Sequence, residues 1–324
     1  MLKWLITFFF LFILSVQSFA GDFDRVDKYA RSINRSGNYK QLARKLTNRF
    51  SNEKDKARAI YVWITDNIKY DWTKFQYNLK GGGKYYIKGR SKAEISQKRR
   101  KIKEKKINNV FRSGKGVCED YAMLFKAMCD EIGLESIIVN GKIKVNPEKI
   151  GIFPNRSSHA WNTVKINNKW YLVDATWGAG YVEAGIFHKK FEDGFFMTDP
   201  QIFILNHYPN DPKWQLLDKS VCKKEFADFV FVHFTFFDSN IIDFSPKNGF
   251  LNTKNKYSII KLIFKNKPLD IYLYYNKKLK KIDFIKEGNK LELKVPTRAT
   301  NQGVVELVVK NGNRILPLLE YKIK

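Results

Sequence analysis

Three residues in this chain have the types and spacing to do nucleophilic chemistry together: Cys118, His159 and Asp174. Cys118 follows the loop Ser113-Gly-Lys-Gly-Val117 and opens a helical stripe of Tyr121, Leu124, Phe125, Met128, Cys129 and Ile132, which Gly133 ends. A cysteine on the first turn of a helix lies among unpaired amides and the positive end of the macrodipole, which favour a thiolate over a thiol. His159-Ala-Trp-Asn-Thr-Val-Lys-Ile166 and Lys169-Trp-Tyr-Leu-Val-Asp174 alternate as strands do, and Asn167-Asn168 between them suits a two-residue hairpin turn. With Ile166 opposite Lys169, His159 and Asp174 share one face as diagonal neighbours, roughly 7–8 Å apart at the backbone. A thiol to attack, an imidazole to move its proton and a carboxylate to orient the ring make a complete set for thiol catalysis.

The elements that must position these groups are a helix for the cysteine and a hairpin for the other two. Upstream, Ser51 or Asn52 caps a helix whose stripe is Ala57, Ile60, Tyr61, Ile64 and Ile68. Two further helices are expected between Val26 and Phe50, to either side of Ser36-Gly37-Asn38. Leu134 to Val145 reads as a strand leaving the cysteine helix, and 146–158, with two prolines, as a loop edging the site. Thr198-Asp199-Pro200 starts a short helix through Leu205. His188 and His207 have no partner pattern and read as structural.

Gly116-Val-Cys-Glu-Asp-Tyr-Ala122, His159-Ala-Trp-Asn162 and Asp174-Ala-Thr-Trp177, in that order, resemble the transglutaminase-like superfamily of papain-type cysteine enzymes, in its kyphoscoliosis-peptidase-like branch. Ala59-Ile-Tyr-Val-Trp-Ile64, Asn67-Ile-Lys-Tyr-Asp71, His207-Tyr-Pro209 and Trp214-Gln-Leu-Leu217 extend the likeness over about half the chain. The resemblance implies an α+β, papain-like catalytic domain with Cys118, His159 and Asp174 as the triad. It implies an enzyme that cleaves, deamidates or cross-links amides; separately, no CxxC or clustered Cys/His spacing suggests zinc, and neither metal nor cofactor is expected. In relatives an upstream aromatic often completes the oxyanion hole beside the cysteine amide; Tyr70 and Trp72 occupy that region, and core packing is the simpler role for both.

Composition frames the rest. Met1 to Ala20 has one early lysine, an apolar run from Trp4 to Val16 and Ser18-Phe-Ala20, the order of a secretory signal peptide. The expected location is therefore extracytoplasmic, periplasmic or secreted. Removing those twenty residues from 324 leaves 304, enough for two domains: a catalytic one over 21–219 and a second over 220–324. From about Ser220 short apolar runs at Phe229 to Phe236, Tyr257 to Phe264, Leu269 to Tyr275, Lys281 to Ile285, Lys290 to Val295, Val304 to Val309 and Ile315 to Ile323 predict an all-β sandwich, Ig-like in architecture. Three cysteines make no disulfide framework, although Cys129 and Cys222 could pair.

The formal net charge is +27. Charge of that size attracts polyanions, and export makes an anionic envelope polymer or membrane surface the expected partner rather than nucleic acid. Eleven Lys/Arg between Lys84 and Lys106 stand against Glu94 and Glu104, on a helix that Ser91-x-x-Glu94 caps. Two functions follow: a cysteine enzyme acting on protein or peptide amides, more a peptidase or amidase than a cross-linker, or a non-catalytic module that docks anionic polymers or a protein partner. Protein purified from the envelope or medium should begin at Gly21, as N-terminal sequencing will report; a cytoplasmic protein starting at Met1 would contradict the leader.

Overall fold

A buried helix, α3 (Glu53–Asn67), forms the axis of the N-terminal unit in the computed structural model. The structure describes residues 23–82, 86–155, 158–276, 278–297 and 303–324. The leader expected over Met1 to Ala20 lies outside these residues, as do Gly83, Lys84 and Tyr85. Among the described residues no helix is long and apolar enough to cross a membrane.

Asn52 caps α3, its side chain accepting from the Asp55 N–H at 2.7 Å. The predicted stripe is buried, but so is every residue from Ala57 to Thr65. The reason is cover on several sides: α1 (Asp24–Ser32), α2 (Tyr39–Thr47) and α6 (Cys118–Glu131) all contact α3. Arg58 on this buried helix is matched by Asp27, whose two oxygens take its Nε and Nη2 at 2.8 and 2.7 Å. A helix not expected from the sequence, α4, runs from Trp72 to Leu79. Ser91 caps α5 (Lys92–Ser113), which Gly114 ends at φ 65° in the left-handed region. Only Ile107, Val110 and Phe111 of α5 are buried, so its basic N-terminal half stands largely in solvent.

Against α6 lies a five-stranded antiparallel sheet in the order Phe196–Thr198, Lys169–Val173, His159–Ile166, Ser136–Ile143 and His207–Pro209. Asn167 and Asn168 take φ values of 49° and 63°, and Ile166 pairs with Lys169. That register is the one that alternation and the turn predict. Gly141 sits between His159 and Pro209 in the sheet. A Cβ there would come within 2.3 Å of the Tyr208 carbonyl oxygen and 2.4 Å of the Trp161 ring, so the sheet closes at this point only around glycine.

Beyond Pro209 the chain builds two sheets, antiparallel except where Phe250–Leu251 pairs in parallel with the last strand. One orders 241–245, 257–264, 290–296 and 283–287; the other orders 231–232, 314–323, 304–311, 271–275 and 278–281. Ile260, Leu262 and Leu293 from the first share a core with Leu273, Leu307 and Leu319 from the second, which makes the region a β sandwich. The strand expected over Phe229 to Phe236 is a correction. Phe229 makes an isolated bridge to Asn248, Phe231–Val232 is the only strand, and Phe234–Asp238 turns into a 3-10 helix. Its aromatic residues are used for packing against the first unit: Phe237 lies 4.3 Å and Phe234 5.4 Å from Phe195, ring centre to ring centre.

Candidate active site

Cys118 is the first residue of α6, so its amide falls among those the helical ladder leaves without a partner. Five hydrogen bonds, in three groups, hold it there. Asp120, buried, accepts the Val117 N–H at 2.8 Å and the Lys74 ammonium at 2.6 Å through one oxygen. The amides of Lys69 and Asp71 donate to the carbonyls of Gly114 and Gly116 at 2.8 and 2.9 Å, stitching the loop to the end of α3. The Tyr121 hydroxyl donates to the Ile68 carbonyl at 2.7 Å from the next turn. Asn162 on the central strand then ties the sheet to α6 by donating to the Ala122 carbonyl at 3.1 Å.

His159 opens the central strand and Asp174 follows the end of its neighbour, and their side chains meet: Nε2 lies 2.6 Å from Oδ2. Asp174 has no solvent exposure. Its Oδ1 accepts the amides of Thr176 and Trp177 at 2.9 and 3.0 Å. Oδ2 accepts a second contact besides His159, from His207 Nε2 at 3.1 Å. Burial alone would push the carboxyl pKa up; the charge and hydrogen bonds of His159, joined by His207, hold it well below the usual carboxylate range. His159 responds in kind. Its burial would lower its pKa, but Asp174 first and the Cys118 thiol second push it up to about 10. With Nε2 given to Asp174, Nδ1 is the ring nitrogen left to exchange a proton with Cys118.

His207 is the site residue that sequence reasoning missed; it read as structural, and the structure places it on the carboxylate. The ring is buried and stacks on Phe203 with centres 3.9 Å apart. Burial pushes its pKa down to about 4, which outweighs the opposing pull of Asp174. It is therefore a neutral imidazole whose Nε2–H supports the same carboxylate oxygen that His159 contacts. The signal lay in topology: His207 pairs with Ile143 at the sheet edge, a non-local register that local alternation does not reveal.

His159, Asp174 and His207 each bring one ligand-type atom within 4.8 Å of the others. The 2.6 Å approach of His159 to Asp174 suits a shared proton. Tetrahedral metal bonds of ~2.0–2.1 Å would set the same atoms wider, near ~3.3 Å. Cys129 is buried on α6 and Cys222 is exposed at another helix start, both as free thiols. Burial pushes the Cys129 thiol pKa far up. Tyr70 and Trp72 are part-buried and border the same cleft as Cys118 and His159; burial, then the nearby Cys118, raises the Tyr70 phenol.

Residues 40–175 match the family model described as transglutaminase-like superfamily. Kyphoscoliosis peptidase of Mus musculus is 26% identical over 307 residues, 93% of this chain and 43% of that protein. Hillarin of Drosophila melanogaster is 26% identical over 233 residues, 67% of this chain and 25% of its own. Lim and transglutaminase domain protein ltd-1 of Caenorhabditis elegans is 26% identical over 309 residues, 89% and 38% of the two chains. The chain thus spans less than half the length of these relatives. A crystal structure described as that of a TGase aligns over 55% of this chain and 37% of that chain, at 16% identity and a TM-score of 0.29.

The two histidines predict opposite pH limbs. His159, raised above its ordinary value of 6.5, adds stability that is complete below about 6.5 and is lost as pH climbs toward about 10. His207, lowered, adds stability that is complete above about 6.5 and is lost as pH falls toward about 4. In urea unfolding, the advantage of wild type over His159→Gln should shrink as pH rises, and its advantage over His207→Gln should shrink as pH falls. Curves that stay parallel across the range would contradict the assignment.

Proposed function

We propose that this chain, whose residues 40–175 belong to the transglutaminase-like superfamily, is an exported cysteine enzyme that acts on amide bonds. The observation that carries the reading is the buried His159–Asp174 pair at 2.6 Å, in which His159 borders one cleft with a cysteine at a helix N-terminus. Cys118 Sγ attacks the amide carbon. The carbonyl oxygen takes the negative charge beside the Cys118 amide, and His159 Nδ1 delivers a proton to the departing amine. A thioester remains on Cys118. His159 then removes a proton from water, hydroxide adds to the thioester carbon, and the acid leaves as the thiolate is restored. Asp174 stays ionised throughout and stabilises the imidazolium. An amine in place of water would give a cross-link. The peptidase name of one relative supports hydrolysis, and the transglutaminase name of another keeps transfer as the variant chemistry.

A second reading has its own observation. The N-terminal half of α5 carries Lys98, Arg99, Arg100, Lys101 and Lys103 in solvent, a surface fit to hold an anionic polymer or membrane without any chemistry. One experiment separates the two. Wild type, Cys118→Ala and Asp174→Asn are incubated with a complex protein mixture, and mass spectrometry scores new termini, Gln-to-Glu changes and isopeptide links together. Wild type should produce new termini, Cys118→Ala none, and Asp174→Asn roughly a thousandth or less of the wild-type rate. Products made equally by Cys118→Ala would end the enzymatic reading. No products at all, with salt-sensitive polymer binding that survives in Cys118→Ala, would favour the docking module.

A further inference from the structure

The cleft that holds Cys118 and His159 has a volume of about 610 Å³, within the ~300–1,000 Å³ of ordinary ligand sites. Its aromatic walls come mainly from three parts of the chain. Trp72 and Phe75 belong to α4, Trp177 and Tyr181 to the segment after Asp174, and Phe231 and Phe234 to the second unit. The sandwich unit therefore closes the cleft rather than merely trailing behind the catalytic one. Its wall is fixed in place: the Phe234 ring lies 5.4 Å from Phe195 and 5.9 Å from Tyr181, and Asn206 donates to the Val232 carbonyl at 2.9 Å.

The chemistry of those walls runs against the charge of the whole protein. Among the described residues one ionisable cation besides His159 borders the cleft, Lys144, and its ammonium is turned to other work. It donates to the carbonyls of Phe226 and Phe229, both at 2.8 Å. Against the described lining residues an acidic substrate side chain would thus leave water without gaining a free cation, and a basic one without gaining a carboxylate. An apolar side chain loses nothing by entering and covers aromatic surface when it does. Asn206 is buried and spends its Nδ2 on the Val232 carbonyl, so it fixes the wall.

We infer that the substrate is a peptide segment with a large apolar or aromatic side chain flanking the scissile amide, received by a pocket that Phe231, Val232 and Phe234 of the second unit complete, an assignment that rests on the enzymatic reading above. The surface charge and the cleft then select differently: basic α5 governs what the protein approaches, and the cleft governs which amide it engages.

The test separates binding from chemistry by using full-length Cys118→Ala protein. Peptides acetyl-Ala-X-Ala-Ala-amide, with X as Phe, Leu, Glu or Lys, are titrated against the fluorescence of Trp72 and Trp177, which border the cleft. The Phe and Leu peptides should bind at least ~10-fold more tightly than the Glu and Lys peptides. Phe234→Ser should abolish that preference and Phe234→Leu keep most of it, with thermal melts checking that both variants are folded. Equal binding of all four peptides, no binding of any, or an unchanged preference in folded Phe234→Ser would overturn the assignment. A preserved preference without turnover in wild type would support the apolar pocket and count against the enzymatic reading alone.

Discussion

A carboxylate with no access to water must find its solvation inside the protein, and Asp174 finds all of it. Two backbone amides serve one oxygen and two imidazoles serve the other. An isolated buried carboxylate would take up a proton rather than stay charged. Everything needed to keep this one ionised is drawn from separate parts of the fold: the central strand brings His159, the turn after its neighbour brings the amides of Thr176 and Trp177, and the sheet edge brings His207. Remove the charge and His159 loses the interaction that outweighs its own burial. The sheet, the hairpin and the edge strand are in this sense the supports of one anion.

The same strand that passes His159 also anchors the second unit. Gly141 lets the sheet close between His159 and Pro209, and three residues on, Lys144 reaches the carbonyls at the end of the helix Lys223–Asp228. Burial pushes that ammonium down to about 7, because its partners are carbonyls and the charge of Asp228 offsets the burial only in part. The aromatic run after Val232 then packs on Phe195, which follows the acid-bearing turn and whose carbonyl accepts the Asp174 amide at 2.9 Å. The position of the cleft wall and the position of the carboxylate are therefore linked through few residues.

Much of this was legible in local pattern. The stripe after Cys118, the cap at Asn52 and the Asn167-Asn168 turn each follow from spacing or from backbone preference, and together they bring Cys118, His159 and Asp174 to one region. What stayed hidden is non-local. His207 reaches Asp174 only because the edge strand pairs with Ser136–Ile143, from 64 residues earlier at the Ile143–His207 pair. Phe229 to Phe236 has the composition of a strand, but two units meet there, and inter-unit aromatic contacts override the strand preference. The full burial of α3 was hidden for a similar reason, since the cover comes from helices on both sides of it in the chain.

The most direct measurement is the titration of the four histidines by nitrogen-resolved NMR of labelled protein, with His→Gln variants supplying the assignments. If Asp174 is the buried anion that the rest of the site supports, His159 stays an imidazolium past about pH 8 while His207 remains neutral below about pH 5.5, on opposite sides of the ordinary value. Both rings titrating together near ~6.5 would mean that Asp174 imposes no such division. The account of the site built on it would then fail.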